Sequence, residues 1–182
     1  MAKKVLLLHG WGGSNFPHWQ SWLASEIVKE YGKVSFLEFS NYELPNLTNW
    51  KEELTKELND FKPDIVICHS LANTLWFHLV QEQSIQEVEK LYLVAPPSFR
   101  CQVKELQSFF PLALPAKTHA KETLLITSTN DAYMTVNEAK KLQDSLGVPM
   151  KVLKDAGHIN GDSGYGTWPW ILEKVSQDLK NS

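Results

Sequence analysis

The sequence predicts an α/β fold: a six-stranded, parallel, doubly wound sheet with helices on both faces. Three observations carry this. Short β-rich apolar runs alternate with longer helical patterns along the chain. The run Ile65-Val66-Ile67-Cys68 is continuous and apolar, as a strand buried on both faces must be. Strands separated by helices pair in parallel through right-handed crossovers.

In chain order, the first strand is expected at residues 5–8. The first helix follows at 16–31, with Pro17 near its first turn, where a missing N–H is tolerated. A second strand at 34–39 leads through a loop at 41–48, broken by Pro45, to a helix at 50–61. The third strand, 65–68, runs into a helix at about 71–83, followed by a strand at 91–95. Residues 96–120 hold four prolines and are irregular. A fifth strand at 124–127, a helix at 136–146, a sixth strand at 151–153 and a helix at 168–179, capped by Thr167, complete the chain.

The 182 residues suit a single domain spanning 1–182 with one core. A hydrophobic fraction of 43% and a charged fraction of 21% are too apolar for disorder. With a net charge of −3 the chain lacks the electrostatic footprint of a nucleic-acid binder, and no basic helix marks a membrane surface. Cys68 and Cys101 have no metal-ligand spacing, and two cysteines do not make a disulfide scaffold. The apolar run Val5-Leu6-Leu7-Leu8 is too short for a signal peptide and no stretch reaches transmembrane length, so a cytoplasmic location is expected.

The informative segment is Ile65-Val66-Ile67-Cys68-His69-Ser70-Leu71-Ala72-Asn73. A buried strand runs directly into a helix with a serine at the corner, the context of a nucleophile elbow. Small residues are needed two positions either side of that serine, and Cys68 and Ala72 stand where glycines are usual. Read alone, a serine at a helix start is more often a cap than a nucleophile. His158, in Asp155-Ala156-Gly157-His158, lies just after the last strand, where a loop at the carboxyl edge of the sheet can point an imidazole at Ser70. Asp131, in Thr127-Ser128-Thr129-Asn130-Asp131, ends the fifth strand. A carboxylate there can accept the imidazole's other N–H, although Asn130-Asp131 also reads as a simple turn. The order serine, acid, histidine, each after a different strand, is far more specific than any one member. The loop His9-Gly10-Trp11-Gly12-Gly13 after the first strand should supply one oxyanion-hole amide, Trp11, and Leu71 the other.

On these residues the chain resembles the small α/β-hydrolase-fold serine hydrolases related to retinoblastoma-binding protein 9, particularly their bacterial branch. The resemblance spans nearly the whole length: His9-Gly10 with Gly13-Ser14, His18-Trp19-Gln20, His69-Ser70-Leu71, Ser128-Thr129-Asn130-Asp131, Gly157-His158-Ile159-Asn160, Ser163-Gly164, Gly166 and Trp168-Pro169. It implies a compact α/β-hydrolase fold with six parallel strands, and Ser70, Asp131 and His158 as catalytic triad. The Leu-x-Cys-x-Glu motif of retinoblastoma partners is absent, so that partner is not carried over. Residues 98–114 lie where hydrolases of this fold carry a cap and leave room only for a short helix or flap. Its Phe99, Phe109 and Phe110 are candidates for an acyl pocket or for plain core.

The chemistry expected is hydrolysis of a small acyl ester, thioester or amide, with no cofactor and no metal. The partner expected is a small-molecule acyl substrate; protein partners are unknown. Asp155 is expected to hydrogen-bond amides in the turn presenting His158, and Asp162 to sit in a mobile glycine-rich loop. Trp19, Trp22 and Trp76 read as core, Trp11 as a residue lining the site, and His69 as packing because its strand phase points away from Ser70. Two other readings stand beside this one. Gly10-x-Gly12 with Glu38 resembles part of a dinucleotide fingerprint, but Asn15 occupies the third glycine position. A hydrolase scaffold can also serve as a non-enzymatic protein-binding module.

Overall fold

A computed structural model describes residues 3–30, 32–82 and 85–180. Six strands, β1 (Lys4–Leu8), β2 (Lys33–Leu37), β3 (Ile65–His69), β4 (Val88–Val94), β5 (Ala120–Ser128) and β6 (Met150–Leu153), form one open sheet in the order β2-β1-β3-β4-β5-β6. Every pairing is parallel. The helices are α1 (Trp19–Glu30), α2 (Leu47–Phe61), α3 (Leu71–Gln81), α4 (Val136–Leu146) and α5 (Pro169–Lys180).

Strand alternation sorts the apolar side chains into two layers. Leu6, Leu8, Val66, Cys68, Leu91 and Leu93 pack against α2, α3 and α4 on one face. Val5, Leu7, Ile65, Ile67, Tyr92 and Val94 pack against α1 and α5 on the other. Central strands covered on both sides need apolar residues at both phases, which is why β3 shows no polar alternation. Trp19 and Trp76 are fully buried; Trp22 is partly buried against the α1–α5 layer.

Element boundaries differ from the sequence reading where a tertiary or capping contact decides them. Helix α1 begins at Trp19, so Pro17 lies ahead of the helix rather than in its first turn. Its expected last residue, Tyr31, lies outside the described residues, as does Gln83 at the expected end of α3. Asn46 caps α2 by accepting from the Asn49 amide, extending that helix back into the expected loop. Strand β5 begins four residues earlier than expected, at Ala120, and pairs there with Val88. Pro169, not Trp168, opens α5, so Thr167 stands too far back to be its cap. The irregular stretch contributes one short 3-10 helix, Lys104–Phe109. Phe109 and Phe110 are buried in the core, while Phe99 lines a cavity of about 360 Å³ with Leu112, Leu114, Arg100 and Lys141. Both cysteines are free. No helix among the described residues is long and apolar enough to cross a membrane.

Three histidines, His9, His18 and His69, are buried beneath the carboxyl edge of the sheet, and the hydrogen bonds of His9 and His18 specify neutral rings. His9 Nδ1 donates to the Gly10 carbonyl at 2.7 Å while Nε2 accepts from the Phe39 amide at 2.9 Å. His18 Nδ1 accepts from the Gln20 amide at 3.2 Å. Protonation would place a hydrogen on a nitrogen already serving as acceptor. Burial lowers the pKa of all three, and takes His18 from 6.5 to about 4 with help from the nearby His158 and His9.

The unfolded chain therefore binds a proton at His18 below pH 6.5 that the folded protein refuses until about pH 4. Stability falls as pH falls through that window and levels off below it. Between pH 7 and pH 5 we expect His18 alone to remove about 2 kcal/mol. Urea denaturation of wild type and His18→Phe across this range should show a flatter pH profile for the variant. Parallel profiles would show that the imidazole titrates normally.

Candidate active site

The serine corner is set by the backbone. Strand β3 ends at His69, α3 starts at Leu71, and Ser70 between them has φ 53° and ψ −123°. A non-glycine residue in that region costs on the order of 1–3 kcal/mol and persists only where its surroundings over-determine it. They do so here. The Ser70 amide donates to the Val94 carbonyl at 3.0 Å. The buried Asn73 side chain donates to the Ser70 carbonyl at 2.8 Å and to the Val94 carbonyl at 2.9 Å. Cys68 and Ala72 are both fully buried, where larger side chains would hold strand and helix apart.

Close approach comes from a glycine outside the elbow. A Cβ on Gly10 would lie 2.7 Å from Ser70 Cβ and 3.1 Å from the Leu71 amide nitrogen. The β1–α1 loop thus presses its bare backbone against the corner. It is pinned there by His9 and by the β2–α2 loop, where the Gly12 amide and the Trp11 indole donate to the Tyr42 and Glu43 carbonyls. Leu71, first residue of α3, has no intrahelical partner for its N–H, and the Trp11 amide has none among the described residues.

His158 sits in a turn after β6 whose four successive amides are all held by side chains. The Asp155 amide donates to Thr129 Oγ1, Ala156 to Ser128 Oγ, Gly157 to Asn130 Oδ1 and His158 to Ser163 Oγ, at 2.7–3.1 Å. Three consecutive residues at the end of β5 therefore template the turn, and the fourth, Asp131, meets the imidazole itself. Gly157, at φ 55°, has no room for a side chain, since a Cβ would lie 2.4 Å from Ser163 Oγ. The amide-holding task expected of Asp155 belongs instead to Ser128, Thr129 and Asn130. The Asp155 carboxylate points out of the turn to the Thr129 hydroxyl at 3.4 Å.

The structure brings Ser70, His158 and Asp131 together. His158 Nδ1 donates to the Asp131 carboxylate, 2.9 Å from each oxygen, and Nε2 lies 2.7 Å from Ser70 Oγ. A proton on Nδ1 leaves Nε2 as the acceptor of the Ser70 hydroxyl proton. Asp131 Oδ1 also accepts from the Tyr133 amide at 2.8 Å, and the Tyr133 ring packs 4.6 Å from the imidazole. Only 3% of the Asp131 side chain and 10% of His158 are exposed, so the pair is shielded from competing water. Such an arrangement can pass a proton from serine to histidine while the carboxylate stabilises the imidazolium. Asp162 lies in the exposed turn Gly161–Ser163 and makes no contact with His158 Nδ1.

Sequence reasoning missed Asn73, the templating role of Ser128 to Asn130, and a bond from His69 Nε2 to the His158 carbonyl at 3.1 Å. The available signal was the polar run before Asp131. A buried serine at a strand end, as Ser128 is, needs a partner. Among the described residues, no group of three or more His, Cys, Asp or Glu side chains is placed to hold a metal ion.

Comparison with known proteins agrees with this architecture. YdeN of Bacillus subtilis (strain 168), a candidate hydrolase, is 20% identical over 97% of this chain and 96% of its own length. The crystal structure of the B. subtilis ydeN gene product superposes with a TM-score of 0.85 at 18% identity, covering 99% of this chain and 100% of the other. A YdeN-like candidate hydrolase from Pectobacterium atrosepticum gives 0.81 at 22% identity, over 98% and 91%. These likenesses show the α/β-hydrolase fold. A family profile described as "Serine hydrolase" matches residues 5–177. That match runs from the first strand into the last helix, taking in every element that carries the site, and the chain belongs to the serine hydrolase family.

Proposed function

We propose that this protein hydrolyses a small acyl ester, thioester or amide through an acyl-enzyme on Ser70, with His158 as general base and acid and Asp131 as its orienting carboxylate. The observation that carries the reading is the unbroken hydrogen-bond chain from Ser70 Oγ through His158 to Asp131, built on a backbone held at φ 53°. Ser70 Oγ attacks the acyl carbon as His158 Nε2 takes its proton; the imidazolium then protonates the leaving group. Water, activated by the same nitrogen, cleaves the acyl-enzyme and restores Ser70. The negative charge on the tetrahedral intermediate is met by the Trp11 and Leu71 amides. Donors of this kind contribute roughly 3–4 kcal/mol each to the transition state.

The dinucleotide reading finds no support in the loop geometry. The bare face of Gly10 is filled by the Ser70 corner, the Gly12 amide is bonded to Tyr42, and α1 starts only at Trp19. A pyrophosphate site needs free glycine amides leading straight into a helix N-terminus. The resemblance to the retinoblastoma-binding-protein-9 branch rests on the motif blocks alone and adds no partner.

Ser70→Ala should abolish both hydrolysis of p-nitrophenyl acetate and labelling by a fluorophosphonate probe while leaving the fold intact. Labelling of the variant at another serine would refute the assignment. Asp131→Asn should lower kcat by about 10⁴-fold through the wrong imidazole tautomer. Asp155→Asn and Asp162→Asn should stay near wild type, and a collapse in Asp155→Asn with normal turnover in Asp131→Asn would mean the acid lies elsewhere. Gly10→Ala should lower kcat/KM by roughly 10- to 100-fold by shifting the corner against the loop amides. Unchanged kinetics in a folded Gly10→Ala protein would show that the close approach is dispensable.

A further inference from the structure

We infer that His69 is a positioning residue for the proposed general base, donating its Nε2–H to the main-chain carbonyl of His158. The inference rests on the reading of Ser70 and His158 given above. His69 is the last residue of β3 and the immediate neighbour of Ser70. Its ring does not face Ser70. It lies on the α1–α5 side of the sheet, edge-on to Trp19 at 5.7 Å and 4.9 Å from the His18 ring, with the His158 ring at 5.4 Å.

From there Nε2 reaches the His158 carbonyl at 3.1 Å, across 89 positions of sequence. A carbonyl only accepts, so Nε2 carries the proton and the ring is the Nε2–H tautomer. Among the described residues no other donor reaches that carbonyl. The other attachments of the His158 turn come from the end of β5 and from Ser163, which fix its amides and ring, and from α1, where the Trp19 indole donates to the Ile159 carbonyl at 2.7 Å. None of them refers the turn to the strand that carries the nucleophile. His69 does, and it couples the nucleophile's strand to the base's loop through one rigid side chain. The 2.7 Å separation of Ser70 Oγ and His158 Nε2 is then held from two sides.

The neighbourhood favours an uncharged donor here. Burial and the adjacent His18 and His158 lower the His69 pKa well below 6.5. A neutral His69 holds the carbonyl without repelling the imidazolium that forms on His158 during turnover.

The test compares wild type, His69→Leu and His69→Gln, each checked for folding by circular dichroism and thermal melting. Leucine fills the space without a donor, while glutamine keeps an N–H donor near the position of Nε2. His69→Leu should lower kcat for p-nitrophenyl acetate by roughly 10- to 100-fold with KM little changed, and slow fluorophosphonate labelling of Ser70 in parallel. His69→Gln should recover most of that loss. A folded His69→Leu protein with wild-type kcat, or a glutamine variant worse than leucine, overturns the inference. Should His69→Leu not fold, long-range ¹⁵N–¹H spectra of wild-type histidines decide, the His69 signals being identified by their loss in His69→Gln. The Nε2–H tautomer is expected, and the Nδ1–H tautomer overturns the assignment. Failure of wild type to label at Ser70 would instead strike the proposed function, whereas equal labelling of wild type and His69→Leu strikes only the role of His69.

Discussion

The positive φ at Ser70 is the constraint from which the rest of the site follows. A strand that continued in extended conformation would bury the serine hydroxyl in the sheet, and a helix started normally would point it along the helix surface. The left-handed joint lifts Oγ above the carboxyl edge and leaves the Leu71 amide without a helical partner. Such a backbone is costly, and its neighbours hold it in place: Val94 accepts the Ser70 amide, and Asn73 ties the corner to β4. The space it sweeps out also dictates Gly10 on a different strand's loop, since any side chain there would meet Ser70 Cβ.

A second rigid unit faces it. Ser128, Thr129 and Asn130 satisfy consecutive amides of the 155–157 turn, so the loop after β6 is effectively an extension of β5. This explains how a histidine on a loop can act with the precision of a residue on a strand. The buried Ser128 hydroxyl and the buried Ala156 amide would otherwise lack partners, and one bond between them removes both penalties. Asp131 needs no special burial to find the imidazole: the three residues before it deliver the ring to it.

The two units meet across β4, and their separation decides whether Ser70 Oγ and His158 Nε2 stand at hydrogen-bond distance. Sheet pairing sets it coarsely through the registers of β3, β4 and β5. The layer beneath is populated by neutral histidines and aromatic edges rather than by charges. His18 and His69 thus provide hydrogen bonds and packing without a buried charge, which would demand a counter-ion beside the site.

What the sequence determined by itself was whatever rests on local pattern. The apolar phase of each strand, the alternation with helices, and three chemically apt residues each following a strand were enough to read the parallel sheet and bring Ser70, Asp131 and His158 to one edge. Elements were legible in kind but not in extent. The start of β5 at Ala120 depends on pairing with Val88, and the start of α1 at Trp19 on how the preceding loop packs, so neither is written in local propensity. The tertiary structure alone decided the contacts between residues distant in the chain: Gly10 against Ser70, His69 to the His158 carbonyl, and the polar strand end of β5 to the turn at 155–157. Serine, threonine, asparagine and histidine are all ordinary turn or core residues. Only the folded geometry, by bringing Asn73, Ser128, Asn130 and His69 to their acceptors and donors, turns them into supports for a reactive serine.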